Sequence, residues 1–408
     1  MSTSGCEQHP AAAGCVQKKA AGTGPAGDSG PPEGEGLRRL RTEIRRDLAA
    51  AAGIGRGARM DQEFQAVLRE HLARYPLMQP QDCAKLAYQS ALGPAHTLAE
   101  REQVLRGLLQ EWSRIPADSR PRPPEKIGNG LCRLYLAGTD HLPLAAQLAA
   151  DLLCMTAERC QGTPADLEAG LAVLEAAELP GMAAWLAEYR GQGCPPVHHS
   201  AAYREAYHPH YRVMRTAYGG CFPALLQIAV LAGRGAPAVV AIDGRCGSGK
   251  TSLAELIRQL IPCNVVHMDD FYLPPDLRAE NWTEIPGGNM DFARFLREVL
   301  IPAEAGEPVC YRPFDCRSGT LGVPAALPPR SLTVVEGSYS QHPLLSARYD
   351  LKLFLTCGPE VQRRRLERRE GGHFAAYESR WMPLEERYFQ QCGPENGSDL
   401  VIDTSAFF

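Results

Sequence analysis

The chain has 408 residues, of which 44% are hydrophobic and 22% charged, a composition typical of folded globular proteins rather than fibrous or membrane ones. Its 43 Lys and Arg residues against 47 Asp and Glu give a net charge of -4, which argues against a dedicated nucleic-acid binder. No stretch approaches the roughly 18 consecutive apolar residues that cross a membrane, and no secretory signal is visible, so we expect a cytoplasmic protein without a membrane partner.

Residues 1–59 are rich in Ala, Gly, Pro and charged residues, including GTGPAGDSGPPEGEG at 22–36. They offer few branched or aromatic side chains from which a core could form. The composition therefore predicts a disordered, low-complexity extension.

Residues 60–232 carry apolar side chains at three- and four-residue spacing, as in EFQAVLREHLARY (63–75) and LPLAAQLAADLLCM (142–155). This spacing is typical of amphipathic helices, and Pro and Gly separate the segments. We predict an all-α domain of unknown role over 60–232, without a fixed-period repeat.

One part of this region is dense in polar and aromatic residues, HHS (198–200) and YREAYHPHYR (203–212). Such a cluster could bind a metal, a substrate or a partner, whereas the simplest interpretation is packing against the next domain. Further polar residues lie near predicted helix starts, where spacing alone does not separate capping from recognition. They are Gln79, Asp82, Lys85, Gln89 and His96.

The pattern changes after GRGAP (233–237). The continuously apolar run AVVAID (238–243) is typical of a strand buried in a parallel sheet, and the helical pattern TSLAELIRQLI follows it. Further strands are predicted in CNVVHMD (263–269), PVCYRPF (308–314), SLTVVEG (331–337), DLKLFLT (350–356) and DLVID (399–403). Strands that alternate with helices predict an α/β fold with a doubly wound parallel sheet over 234–408.

The segment GRCGSGKT (244–251) has the Walker A pattern, and the strand before it and the helix after it distinguish it from an ordinary glycine-rich turn. Glycines let successive backbone N–H groups surround phosphate oxygens. Lys250 would reach the β- and γ-phosphates of ATP, and the Thr251 hydroxyl would bind Mg²⁺. The residues predicted to bind the nucleotide are Gly244, Arg245, Cys246, Gly247, Ser248, Gly249, Lys250, Thr251 and Ser252.

Three further segments narrow the class of nucleotide-binding protein. They are HMDDFY (267–272), VVEG (334–337) and the Arg-rich helix 363–369. In their order and spacing they resemble the uridine kinase and phosphoribulokinase group of P-loop kinases, over about 235–405. The resemblance implies an ATP- and Mg²⁺-dependent kinase that phosphorylates a hydroxyl of a small-molecule acceptor, with a nucleoside such as uridine favoured.

The resemblance also implies roles for individual carboxylates. Asp269 would act on the acceptor hydroxyl, with water-mediated Mg²⁺ binding as the alternative, and Asp270 ranks second for either role. Glu336, at a strand end, would bind Mg²⁺ together with Thr251, unless it only caps the strand.

Two arginines and four acceptor-side residues complete the implied site. Arg365 and Arg369 match the lid arginines of the family, although an Arg-rich run is often just a solvated face. Asp291 would bind acceptor hydroxyls, with a helix N-cap as its alternative. Tyr311 and Phe314 would stack on a base. Tyr272, which belongs to HMDDFY, is also expected to contact the acceptor.

The sequence departs from the family in two places. CRSG (316–319) lacks the His that contacts the pyrimidine in the family, and HFAAYESRWMPLEERYF (373–389) replaces the charged lid. Other acceptors such as pantothenate, a riboside or a sugar phosphate therefore remain open. So does a nucleotide-dependent switch ATPase that regulates a partner through the helical domain, and a homo-oligomer is compatible with the sequence.

Overall fold

Residues 62–94, 100–116, 118–140, 142–316 and 318–407 are described by the structure, a computed structural model. The predicted extension 1–59 and His96 lie outside the described residues. The described residues all belong to one compact unit, Arg56–Phe408. No helix among them is long and apolar enough to cross a membrane.

The part before residue 233 is mainly helical, as predicted. Its helices are α1 (62–74), α2 (Pro80–Leu92), α3 (Arg101–Trp112), α4 (Leu144–Arg159), α5 (Pro164–Ala176), α6 (Met182–Gly191), α7 (Ala201–Tyr207) and α8 (Thr216–Ala232). Local chemistry sets their starts: α5 begins with a capping box in which Thr163 and Asp166 satisfy each other's backbone N–H groups, followed by proline in the first turn.

This part also contains a three-stranded antiparallel sheet, which corrects the expectation of helices alone. Its strands are β1 (Glu125–Gly128), β2 (Leu131–Tyr135) and β3 (Tyr211–Arg215), in the order β1-β2-β3. The Asn129-Gly130 turn between the first two has φ angles of 56° and 66°, as a type I′ hairpin requires. β2 is buried along its whole length, so it lacks the alternating pattern that marks a half-exposed strand.

The C-terminal part is built on five parallel strands, which confirms the predicted α/β fold. They are β4 (Ala238–Gly244), β5 (Asn264–His267), β10 (Leu332–Glu336), β11 (Leu351–Thr356) and β12 (Leu400–Asp403). Their order in the sheet is β12-β11-β4-β10-β5, so that β4 is central, and every residue of β4 is buried. A buried central strand explains why its sequence is continuously apolar.

Helices and two small antiparallel pairs complete this part. The helices are α9 (Lys250–Leu260), α10 (Phe292–Phe295), α11 (Ile301–Ala305), α12 (Pro359–Glu370), α13 (Phe374–Ala376) and α14 (Met382–Cys392), with a π-helical segment at Leu296–Leu300. The pairs are β6 (Val309–Tyr311) with β9 (Ala325–Leu327), and β7 (Phe314–Asp315) with β8 (Thr320–Leu321). The predicted strand 308–314 therefore forms two short strands, β6 and β7, outside the main sheet. Pro313 lies between them and has no N–H with which to continue the hydrogen-bond ladder.

The two parts share a hydrophobic core. Leu225 and Ile228 of α8 belong to the same buried cluster as Val240 and Ile242 of β4, and all four side chains are fully buried. α8 leads directly into β4 and packs against it and against β12. The boundary predicted near residue 234 thus marks a change of architecture within one compact unit.

Leu225→Ala should lower the stability of both parts together, because it leaves a cavity in this shared core. We expect a loss of about 2–5 kcal/mol in the free energy of unfolding. Trp112 and Trp185 lie in the helical part, and Trp282 and Trp381 lie in the C-terminal part. Urea unfolding followed by tryptophan fluorescence and by circular dichroism should therefore show a single transition, shifted to lower urea concentration. Two separated transitions would contradict the shared core.

Candidate functional site

The loop between β4 and α9 has the backbone that the Walker A pattern requires. Gly244, Gly247 and Gly249 have φ angles of 138°, 75° and 97°, in the region that favours glycine. A Cβ on Gly244 would lie 2.0 Å from the carbonyl oxygen of Leu355, so no other residue fits there. A loop of this kind that ends in a helix N-terminus presents backbone N–H groups to an anion.

Lys250 lies against this loop. Its ammonium group donates to the carbonyl oxygens of Gly244 at 2.7 Å and Arg245 at 3.1 Å, and Ser338 Oγ lies 3.4 Å from it. The side chain is nearly buried, with 8% of the residue exposed. A positive charge held at the loop is placed to meet phosphate oxygens.

Two predicted metal ligands meet beside the loop. Thr251 Oγ1 donates to Glu336 Oε1 at 3.1 Å, and His267 Nδ1 lies 2.6 Å from the same oxygen. Desolvation raises the pKa of Glu336, but the hydrogen bond with His267 and the charge of Lys250 outweigh it, so the pKa lies below its ordinary value. The carboxylate therefore stays ionised.

This donor set fits Mg²⁺. A hydroxyl and an ionised carboxylate are oxygen ligands, which Mg²⁺ prefers, and it commonly completes its shell with phosphate oxygens and water. In the part of the chain that the structure describes, no group of three or more His, Cys, Asp or Glu side chains could hold a metal ion alone.

Asp269 follows β5 in the turn Met268–Phe271, on the same edge of the sheet as Glu336. Tyr272 OH donates to Asp269 Oδ1 at 2.9 Å. Asp269 is exposed to solvent, but protein atoms lie around its carboxylate. This partial desolvation raises the pKa of Asp269 above its ordinary value, while the hydrogen bond from Tyr272 and the charge of Lys250 oppose the shift. A carboxylate with a raised pKa is suited to accept a proton.

Asp270 and Tyr311 are brought together as well. Tyr311 OH donates to Asp270 Oδ2 at 3.0 Å, and the backbone oxygen of Asp270 accepts a hydrogen bond from Arg294 at 2.8 Å. Phe314 is nearly buried in β7, which packs against the turn that carries Asp269 and Asp270. These contacts keep the predicted acceptor side beside the turn.

Asp291 is the N-cap of α10, the alternative role considered from its sequence. Its side chain accepts a hydrogen bond from Arg294 N at 3.0 Å, and the Arg294 guanidinium lies 3.7 Å from the carboxylate. Its predicted binding of acceptor hydroxyls stays a prediction.

The predicted lid arginines lie in different surroundings. Arg365 donates to the backbone of Gly247, Thr404 and Phe407 and so links α12 to the loop and to the C-terminal segment. Arg369 pairs with Glu370 on the exposed face of α12 and lies over the Tyr377 ring. Their catalytic roles stay predictions.

The remaining loop residues also have protein partners. Arg245 pairs with Glu386 and lies over the ring of Phe389, at 5.0 Å from its centroid. Ser252 lies on α9 and lines another cavity, of about 530 Å³, together with Arg159 and Arg215 of the helical part. Ser248 is fully buried, and its Oγ has no hydrogen-bond partner among the described residues.

Sequence reasoning missed two residues of this site, Ser338 and Glu385. The carboxylate of Glu385, on α14, accepts a hydrogen bond from Cys246 N at 3.0 Å and another from Ser338 Oγ. Ser338 could have been found, because it follows Glu336-Gly337 directly. No sequence pattern pointed to Glu385, because it lies in 373–389, the segment that departs from the family.

A cavity of about 660 Å³ opens beside the loop. It is lined by Arg245, Thr356, Cys357, Pro359, Gln362, Glu378, Met382, Pro383, Glu385, Glu386 and Glu395. Its volume lies in the range of small-molecule sites. Since Arg245 belongs to the phosphate loop, this cavity is a candidate space for the rest of a nucleotide.

No protein-family model matches the chain, and no curated protein matches it. Solved structures match its C-terminal part. A possible uridine kinase from Bacillus stearothermophilus is 21% identical with a TM-score of 0.36, and the match covers 44% of this chain and 96% of that chain. A candidate fructose transport system kinase from Silicibacter sp. TM1040 is 25% identical with a TM-score of 0.31, covering 41% and 91%.

A shikimate kinase from Bacteroides thetaiotaomicron matches more weakly, at 12% identity and a TM-score of 0.21, over 41% of this chain and 85% of that chain. All three matches extend over less than half of the present chain. They are likenesses of fold, and the function proposed below rests on the side chains of the site.

Glu385→Gln should strengthen nucleotide binding. The Glu385 carboxylate places a negative charge on the Cys246 N–H, one of the loop groups predicted to bind phosphate. We expect ADP to bind about fivefold more tightly, as measured by isothermal titration calorimetry at fixed salt. Glu367→Gln is the matched control, since Glu367 is exposed on α12 and pairs with Arg363. Unchanged or weaker binding by the Glu385 variant would show that this carboxylate does not compete with phosphate.

Proposed function

We propose that the protein is an ATP-dependent kinase that transfers the γ-phosphoryl group to a hydroxyl of a small molecule. The observation that carries the proposal is one arrangement of side chains. Lys250 lies on a glycine-rich loop, Thr251 contacts Glu336, and Asp269, with a raised pKa, lies at the same edge of the sheet. These are the charges and donors that phosphoryl transfer needs.

Each group has a separate task in this proposal. The loop N–H groups and Lys250 would bind the phosphates of ATP, and Thr251 and Glu336 would hold Mg²⁺, which neutralises phosphate charge when bound. Asp269 would orient the acceptor hydroxyl and accept its proton. The acceptor oxygen then forms a bond to the γ-phosphorus as the bond to the ADP oxygen breaks.

A nucleoside is our first candidate for the acceptor, as the resemblance to uridine kinases implies. Aromatic side chains near the carboxylates support a flat ligand: Tyr272 lies 6.3 Å from Trp381 between ring centroids, and Tyr311 contacts Asp270. Because CRSG (316–319) lacks the expected His, pantothenate, other ribosides and sugar phosphates belong in the same test.

That test is ADP release with a panel of nucleosides, pantothenate and sugar phosphates, each at the same ATP and Mg²⁺ concentration. Stimulation by one compound, with a phosphorylated product seen by mass spectrometry, supports the kinase. ATP hydrolysis at the full rate without any acceptor favours the switch ATPase instead.

Lys250→Ala and Asp269→Asn should each abolish most of the activity on the best acceptor. Loss of the lysine removes the charge that meets the transferred group, and loss of the carboxylate removes the proton acceptor. We expect kcat/KM to fall about 100-fold or more for each. Asp276→Asn is the control, because Asp276 is an exposed carboxylate in the following turn. Normal phosphorylation by either variant rejects the role given to that residue.

The pH dependence should report on Asp269. The hydrogen bond from Tyr272 lowers the pKa of this carboxyl against the effect of desolvation. Tyr272→Phe removes that bond, the pKa rises further, and the acidic limb of the profile of kcat/KM should move to higher pH by about one unit. Tyr207→Phe, in α7, should leave the limb in place. A shift to lower pH would contradict the role of Asp269 as base.

A further inference from the structure

The helical part contains a second cavity, of about 360 Å³. Its polar lining is basic or neutral, and none of the described residues that line it is Asp or Glu. These residues are Lys85, Gln89, Pro94, Leu153, His198, His199, Arg204, Pro209, Tyr211, Arg212 and Val213. The volume is that of a small-molecule site.

A buried carboxylate fixes His199, one of the two histidines in this cavity. Asp82 Oδ1 lies 2.7 Å from His199 Nδ1, and Ser200 donates to the same carboxylate through its backbone N–H and its hydroxyl. Desolvation lowers the pKa of His199 to about 4, so the ring is neutral at pH 7. Its Nδ1–H therefore donates to Asp82, and its Nε2 accepts from Tyr211 OH at 2.6 Å.

A second buried group fixes Gln89. Arg133 is fully buried and donates to Gln89 Oε1 at 2.9 and 3.1 Å, while its third bond, at 3.3 Å, goes to Glu125. Since the oxygen of Gln89 is already used, its amide hydrogens are the groups it can offer to a ligand. Burying an arginine and two carboxylates costs free energy, and here their hydrogen bonds hold Gln89 and His199 in fixed orientations in the cavity wall.

Positive charge in the cavity is only partly compensated. Lys85 donates to the neutral carbonyl of Val197 at 2.7 Å. Desolvation and the charge of Arg133 lower the pKa of Lys85 to about 8, with a smaller contribution from Arg212, although the negative charge of Asp82 opposes the shift. Arg212 pairs with Glu111, but neither Lys85 nor Arg204 has a carboxylate within ion-pair distance in the described parts of the chain. An anion would relieve this repulsion.

We propose that this cavity binds a small organic molecule through a phosphate or carboxylate group, with Lys85, Arg204 and Arg212 as its cationic ligands. Guanidinium and ammonium groups bind both kinds of oxyanion by charge-assisted hydrogen bonds. Gln89 offers a further donor, and the apolar side chains of Leu153 and Val213 would contact the carbon part of the ligand. The site is separate from the phosphate loop, so it does not depend on the kinase proposal.

The test is isothermal titration calorimetry on the full chain with inorganic phosphate, glycerol 3-phosphate, glutarate and neutral glycerol. We expect at least one anion to bind and glycerol not to bind. Lys85→Gln and Arg204→Gln should each weaken that binding about tenfold. Arg106→Gln is the matched control, because Arg106 is exposed on α3 and does not line the cavity. The titrations are repeated in the Lys250→Ala background, where the phosphate loop has lost its cation, and the binding that Lys85→Gln and Arg204→Gln weaken should persist there.

The two kinds of anion are told apart by which probe binds more tightly, glycerol 3-phosphate or glutarate. The proposal is overturned if no anion binds at about 10 mM, if binding survives both Lys85→Gln and Arg204→Gln, or if Lys250→Ala abolishes it. Arg204 is exposed, so its variant keeps the buried contacts intact, and circular dichroism checks the fold of each variant.

Discussion

The close approach of two backbones at the end of β4 is the constraint on which the site depends. Gly244 can lie against Leu355 only because it has no side chain. Asp243, just before it, is fully buried and accepts hydrogen bonds from Gly244 N at 2.6 Å, Gln341 N at 2.9 Å and Tyr388 OH at 2.8 Å. One carboxyl group thus connects the central strand, the segment after β10 and helix α14.

That connection explains why Glu385 reaches the phosphate loop. Tyr388 attaches α14 to the end of β4, and Glu385 lies three residues, or about one helical turn, before it. The carboxylate then accepts the Cys246 N–H, a group that an anionic ligand could use. The same helix that contacts the end of β4 therefore also places a carboxylate against the loop.

Parallel strands explain the rest of the site. β4, β10 and β5 are neighbours, so Thr251, Glu336 and Asp269, which follow or end these strands, come to one edge of the sheet. The helical part is joined to the same sheet through α8 and the shared core. Residues of β3 line the basic cavity of the helical part, and β3 leads directly into α8. Both sites are thus built on one compact unit.

The local sequence by itself determined the α/β architecture, the phosphate loop and the strand-end carboxylates, because these depend on apolar periodicity and on glycines at fixed positions. The Asn129-Gly130 dipeptide is a hairpin signal, but the prediction of helices alone overlooked it because helical patterning surrounds it. Only the tertiary structure decided that Glu385 contacts the loop, that Arg365 bonds to the C-terminal backbone, and that His199 pairs with Asp82. The partners in these contacts lie 39 to 139 residues apart in the chain, and no local pattern encodes which distant groups a folded backbone brings within a hydrogen bond of each other.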